Sequence, residues 1–285
     1  MECVGGRMGK WMRRAVMLAL LAVFLVSAVT VGKILYEYYV SGRLYDNAAA
    51  QYTALASGEG AGENGDAKTG KTDGGGVEQP GGETAPVKVD FSGLQAVNSD
   101  IAGWIYCEDT SINYPVVKGE DNDFYLDHGY EGTESSSGAI FIEAGNRPDF
   151  QDANTIIYGH HMKNGSMFAS LEKWADQEYY GQHPHMWLLT PGQDYKIVLF
   201  SGYTTGAESE TYTIFSDSCR EFDEYLEVCV SRSDFRSEAV PEGGAKCVLL
   251  STCSYVFEDA RYVLHGMLVP VDSAGGVPFP AAGGQ

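Results

Sequence analysis

A thiol follows an apolar run in the last fifth of the sequence. Val248, Leu249 and Leu250 read as a buried strand; Ser251 and Thr252 come next, and then Cys253. Eight positions later Arg261 opens a second apolar run over residues 262–269. A thiol at a strand end, with a guanidinium at the head of the next strand, sets a nucleophile beside a fixed positive charge. Such a charge favours the thiolate and can hold a developing oxyanion. The pair still lacks a group that carries protons. The best candidate lies far upstream, in Asn154-Thr-Ile-Ile-Tyr-Gly-His-His-Met162. Gly159 permits a sharp exit from a strand over residues 154–158, so that His160 can face a groove. In extended backbone His161 points elsewhere, and it is the alternative.

These residues need a frame to hold them. Apolar residues are 44% of the 285 and aromatic residues 12%, enough for a packed core. The formal charge of −20 is uneven: residues 1–40 carry five basic and two acidic side chains, leaving 14 Lys and Arg against 37 Asp and Glu elsewhere. So acidic a surface argues against nucleic acid as a partner. Residues 15–32 hold no charged side chain, and with Lys33 snorkelling the apolar stretch extends to residue 36, the length of a membrane-spanning helix. Arg13 and Arg14 keep the N-terminal side in the cytoplasm, and Trp11 with Tyr36, Tyr38 and Tyr39 suits the two interfaces. The competing reading is a cleaved signal peptide, for which the apolar run is long and Val26-Ser-Ala28 a poor site. In both readings the rest of the chain is exported.

The organisation expected is therefore a basic cytoplasmic segment (1–14), a transmembrane anchor (15–36), a juxtamembrane segment with a Gly-rich flexible linker (37–86), a folded domain (87–272) and a disordered tail (273–285). Within 87–272, runs rich in Val, Ile and Tyr recur at residues 103–107, 113–117, 138–142, 154–158, 186–189, 195–201, 211–215, 246–252 and 261–269. Two helices stand out. Ser166 can cap one that carries Met167, Phe168, Leu171 and Trp174 on a single face. Ser218 with Glu221 reads as a capping box for another, with Phe222, Tyr225, Leu226 and Cys229 inward. Many short strands and few helices make a mainly β fold: a β-barrel with peripheral helices, preceded by the transmembrane helix.

The other thiols and imidazoles have plainer readings. Of six cysteines, Cys3 lies on the cytoplasmic flank and cannot pair with Cys107, Cys219, Cys229, Cys247 or Cys253. The remaining number is odd, so at least one is free or pairs between chains. Cys219 and Cys229 on one helix would be ~15 Å apart, beyond disulfide reach. Cys247 sits among apolar neighbours as a core thiol. His183-Pro-His185 lacks further ligands at metal spacing and reads as a solvated turn. His265, next to Leu264 in the last run, reads as structural.

Ser251-Thr-Cys253 followed by Arg261 resembles the active-site strand pair of sortases, the cysteine transpeptidases of Gram-positive surfaces. The stretch Asn154-Thr-Ile-Ile-Tyr-Gly-His-His-Met-Lys-Asn-Gly-Ser-Met-Phe168 resembles the histidine segment of class B sortases in particular. Gly103-Trp-Ile-Tyr106 with Ile112-Asn-Tyr-Pro-Val-Val-Lys-Gly-Glu-Asp-Asn122 is similar to the early part of that class. The resemblance covers roughly residues 90–270. It implies a sortase barrel with a helix over residues 219–230, and it selects His160, the residue directly after glycine, over His161.

The same resemblance implies that Cys253 is the nucleophile, His160 the proton carrier and Arg261 an oxyanion partner. Ser251, Thr252, Asn113 and Val117 would bind substrate. No metal and no cofactor is called for. The implied partners are secreted proteins bearing a C-terminal sorting signal and an amine acceptor, from a peptidoglycan precursor or a pilin. The implied location is the cell membrane, single-pass, with the catalytic domain outside. The tail has no second apolar span, unlike many class C relatives. Glu258 and Asp259, between Cys253 and Arg261, would favour a basic residue in the signal. Two other readings stay open: a surface cysteine protease that uses water, and a surface binding module with an incidental thiol.

Overall fold

The computed structural model describes residues 9–56, 83–254 and 259–272. In chain order the elements are α1 (Lys10–Tyr52), β1 (Thr53–Leu55), β2 (Val87–Val89), α2 (Phe91–Val97), β3 (Ile101–Tyr106), β4 (Asn113–Val117), β5 (Ile140–Ile142), β6 (Asn154–Tyr158), α3 (Gln177–Gln182), β7 (His185–Leu189), β8 (Asp194–Gly206), α4 (Arg220–Arg232), β9 (Cys247–Cys253) and β10 (Ala260–Val271). Short 3-10 helices cover Phe124–Leu126, Phe168–Ala175 and Glu210–Tyr212.

Eight strands close a barrel in the order β10-β8-β7-β3-β4-β5-β6-β9. Closure leaves no free sheet edge in the barrel. The β4–β5 and β6–β9 pairs are parallel and the others antiparallel. Side chains alternate between the two faces of the wall. On β9, Val248 and Leu250 join the large cluster around Trp104, Ile140 and Leu188, whereas Cys247 and Leu249 join a second cluster with Phe222 and Leu226 of α4. The wall is thus packed on both sides where α4 covers it. The face of β9 that carries Cys247 and Leu249 is the face that carries Ser251 and Cys253.

α1 is 43 residues long and long and apolar enough to cross a membrane. Its last turns belong to the folded domain. Ser41, Tyr45, Ala48 and Tyr52 recur at helical spacing and are buried, and β1 pairs antiparallel with β2. Packing therefore begins well before residue 87, where the sequence places the start of the folded domain; the tyrosines and small residues of this stripe blend into the apolar run before them. The Gly-rich stretch over 57–82 lies outside the described residues, as do residues 1–8 and 273–285. Both ends of 57–82 are held on the same body: the Ala56 amide donates to the Pro86 carbonyl at 2.8 Å and Glu83 pairs with Lys196 at 2.6 Å.

Three local expectations change. Ser166 does not cap an α-helix. Its amide and hydroxyl go to Asn164, Met167 takes φ 56°, and a 3-10 helix follows that buries Phe168, Leu171 and Trp174. Ser218 is likewise no cap. Extended Cys219 precedes α4 and has no side-chain cap bond; its carbonyl accepts from the Phe222 and Asp223 amides. Residues 211–215 are not a strand of the barrel. Their start is the 3-10 turn Glu210–Tyr212, and only Phe215 bridges to Asn154.

Candidate active site

The site is built where β6, β9 and β10 end together. In the β9–β10 register Arg261 stands directly opposite Cys253. β6 runs parallel on the other flank of β9, with Tyr158 opposite Ser251, and the Gly159 amide donates to the Ser251 carbonyl at 3.1 Å. Gly159 has no room for a side chain: a Cβ there would lie 2.5 Å from Ile140 and 2.7 Å from the Phe168 ring. The chain therefore turns tightly over the core and delivers two histidines to the rim.

Those histidines part ways. His160 lines a cleft of about 350 Å³ together with Ser251, Thr252, Cys253 and Arg261. Its Nε2 is 2.6 Å from the Leu126 carbonyl. A carbonyl only accepts, so Nε2 carries the hydrogen and Nδ1 is the nitrogen left to exchange protons. His161 turns away: its Nδ1 donates to the Cys253 carbonyl at 2.7 Å and lies 3.8 Å from Glu172. His161 thus braces the strand end from behind. Nothing in its sequence context distinguishes a brace from a reacting group except the alternation of side chains along the backbone.

Cys253 is half-buried, whereas Cys107, Cys229 and Cys247 are buried. Burial pushes the thiols of Cys107 and Cys247 up to about 12, so both stay protonated and inert at neutral pH. Among the described residues no cysteine is in a disulfide, and the one other solvent-facing thiol is Cys219, at the start of α4.

The remaining wall comes from residues to which the sequence motifs assign no role. Asn122, Asp123 and Leu126 enter from the connection after β4, Phe141 from β5, and Ala207 and Tyr212 from the connection after β8. Tyr158 and Tyr212 stack with ring centres 6.2 Å apart. The Tyr158 hydroxyl donates to Glu143 at 2.8 Å, and Glu143 also accepts from Asn122 at 2.7 Å. Burial and the Glu143 carboxylate push the Tyr158 phenol well above its ordinary range. The Tyr212 hydroxyl meets Ser251 Oγ at 2.8 Å. Burial pushes Tyr212 up to about 12, against the opposing pull of Ser251 and Arg261. Both phenols are neutral hydrogen-bonding groups in the working range.

Asn113 and Val117 do not line this cleft. Asn113 accepts from the Trp104 indole at 2.7 Å and borders a small cavity beside Ser41 and Tyr45. Val117 is wholly buried. β4, separated from β9 by β5 and β6 in the barrel, turns these side chains to other neighbours. Ser251 and Thr252 both border the cleft. The Thr252 hydroxyl is buried, on the face of β9 that carries Leu250 into the barrel. Glu258 lies outside the described residues. Asp259 sits at φ 56°, and its carbonyl accepts from the Ala207 amide. The remaining histidines hold structural contacts. His183 stacks on Tyr179 at 4.4 Å, and His265 is fully buried beneath α4.

A thiol opposite a guanidinium, with an imidazole on the same open cleft, is an arrangement for acyl transfer through a covalent thioester. The family model of the sortase domain matches residues 105–269. Sortase B of Listeria monocytogenes is 32% identical over 258 residues, which cover 90% of this chain and 96% of that protein. Sortase B of Staphylococcus aureus is 29% identical over 187 residues, 65% of this chain and 77% of that one. Among solved structures, sortase B of Bacillus anthracis in complex with AAEK1 aligns with a TM-score of 0.66 and 31% identity over 83% of this chain and 99% of that one. The S. aureus sortase B–substrate complex aligns with a TM-score of 0.61 and 29% identity over 64% and 85%. The chain belongs to the sortases, a family of cysteine transpeptidases, and within them to class B.

Proposed function

We propose that this sortase is anchored in the membrane by α1 and joins secreted proteins to an amine on the outer side. In this reading a C-terminal sorting signal enters the cleft, and the Cys253 thiolate attacks the carbonyl of its Thr. The C–N bond to the next residue breaks, His160 Nδ1–H protonates the leaving amine, and a thioester to Cys253 remains. An amine of a peptidoglycan precursor or a pilin then attacks the thioester. It returns its proton to His160, takes the acyl group and frees the thiol. Arg261 stabilises the oxyanion in both steps; a donor of that kind is typically worth ~2.7–4 kcal/mol.

The observation that carries the reading is the strand register. It puts Arg261 across from Cys253 at the edge of a cleft that His160 also lines. The aromatic wall of Phe141, Tyr158 and Tyr212 and the hydroxyl of Ser251 give an extended peptide both apolar surface and hydrogen-bonding groups. Asp123 on the rim favours a basic residue in the signal.

The test uses the full chain in detergent, a library of peptides of the Pro-x-Thr-Gly and Pro-x-Thr-Asn type, and an oligoglycine or diaminopimelate-type amine, with products read by mass spectrometry. The reading expects amine-ligated product cleaved after Thr, and none from Cys253→Ala. Hydrolysed product alone, at saturating amine, would show water to be the acceptor. No cleavage of any peptide would refute the proposed signal.

A further inference from the structure

α1 packs against the loop that seats the imidazole of His160. The segment that follows β4 forms the 3-10 turn Phe124–Leu126 and then loops back through residues 127–138 to β5. His160 is seated on this loop. Its Nε2 donates to the Leu126 carbonyl, and its ring edge lies where a Cβ on Gly138 would come within 3.0 Å of Cδ2. Gly138 has φ 55°, and a Cβ there would also run into the Tyr125 and Leu126 carbonyls, each at 2.6 Å. Both ends of the loop and the imidazole thus pack with no side chain between them. Only glycine permits this.

One turn of α1 holds that loop from the far side. The Tyr45 hydroxyl donates to the Gly138 carbonyl. Ser41 Oγ meets Ser135 Oγ at 3.1 Å, and the Leu44 methyl fills the space over Gly129, 2.9 Å from where its Cβ would be. A second route reaches the backbone of the same histidine. The Tyr45 ring packs edge-on against Tyr114 at 5.3 Å. The Tyr114 hydroxyl accepts from the Met167 amide at 3.0 Å, and the next amide, of Phe168, donates to the His160 carbonyl at 3.0 Å. Ring and backbone of His160 are both tied to Tyr45.

We propose that Tyr45 is a positioning residue of the active site, and that the turns of α1 just beyond its apolar span are part of the catalytic unit. This rests on the reading of His160 as the proton carrier. The buried face of the helix begins at Ser41, about one and a half turns past the apolar stretch. The rod that crosses the membrane and the seat of the imidazole are then a single piece. An error of ~1 Å in the placing of a proton carrier can cost up to ~100-fold in rate, so this helix contributes to turnover as well as to attachment.

The test uses the full chain in lipid nanodiscs. Steady-state transpeptidation of a donor peptide found active in the library is followed against pH for wild type, Tyr45→Phe, Ser41→Ala and His160→Ala, with melting temperatures in parallel. Tyr45→Phe keeps the ring packing and removes one hydrogen bond. The expected loss in kcat is about three- to tenfold, the worth of one such bond, with KM for the peptide unchanged. The limb of the pH–kcat profile that disappears in His160→Ala is displaced. Cys253, Arg261, Asp123, Tyr158 and Tyr212, the charged and titratable groups that share the cleft with His160, are identical in these variants, so the displacement reports on the imidazole. Ser41→Ala shifts kcat in the same direction by less.

Wild-type kcat and pH profile in Tyr45→Phe, with only a lower melting temperature, overturn the proposal and leave Tyr45 as packing. Wild-type kcat in His160→Ala overturns the reading of His160 and the proposal with it. That outcome is visible in a chain whose Tyr45 is intact.

Discussion

A cysteine and a histidine touch under α4, and another such pair shares the open cleft; the direct contact belongs to the silent pair. Under α4, Cys229 Sγ lies 3.5 Å from His265 Nε2, and the Tyr225 hydroxyl is 3.1 Å from the same nitrogen. Both residues are sealed in, at 1% and 0% exposure. Burial raises the Cys229 thiol and lowers the His265 imidazole to about 3. Neither group ionises near neutrality. At the cleft, Cys253 is half-buried, faces Arg261 and shares open space with an imidazole whose Nε2 is held and whose Nδ1 is free to exchange. Proximity of thiol and imidazole in a dry core is packing. Chemistry needs access, a nearby charge and a nitrogen left over for the proton.

The largest effect should separate the two thiols. Cys253→Ala is expected to lower formation of ligated product by at least about 1,000-fold, the loss of a covalent route, while Cys229→Ala leaves kcat within about twofold and costs ~1 kcal/mol of stability. Equal kinetic losses from both would break the contrast. Arg261→Ala comes next, with about 100- to 1,000-fold lost in kcat and little in KM. Arg261→Lys should recover part of this, because the charge returns without the planar fork. Full recovery would mean that charge alone suffices.

The silent pair has its own signature, in stability rather than rate. His265 is held neutral in the fold, with its pKa at about 3 against an ordinary 6.5. Below pH 6.5 the unfolded chain takes up a proton that the folded chain refuses. The stability from His265 is therefore complete above pH 6.5 and is lost as pH falls toward 3, by on the order of a few kcal/mol. Denaturant midpoints should fall over that window in wild type and fall less steeply in His265→Gln. An unchanged slope in the variant would show that the imidazole already titrates in the fold.

Sequence pattern read one of these regions better than the other because of distance along the chain. Cys253 and Arg261 sit on adjacent strands, so their pairing follows from a short connection, and Gly159 marks where His160 leaves β6. Asn113 and Val117 were misplaced for the opposite reason. Which neighbour each side chain of β4 meets depends on strands far away in sequence. Asn122 and Leu126 reach the cleft from the connection after β4 and Tyr212 from the one after β8, and an isolated Tyr or Asn in a loop carries no spacing signal. The Ser166 and Ser218 caps failed because tertiary packing of Phe168 and Phe222 set where those helices begin. Tyr45 is hidden by its position: a segment between the apolar span and a Gly-rich stretch reads as a juxtamembrane spacer, and only the barrel against it shows another use.

The measurement that tests the central claim most directly is the location of the acyl group. The full chain would be incubated with an active donor peptide and no amine, quenched in acid, digested and mapped by mass spectrometry. The account predicts one thioester, on Cys253, that is absent in Arg261→Ala at short times and discharged by added amine. An acyl group on Cys229 or Cys219, or amine-ligated product formed with no thioester on Cys253, would contradict it.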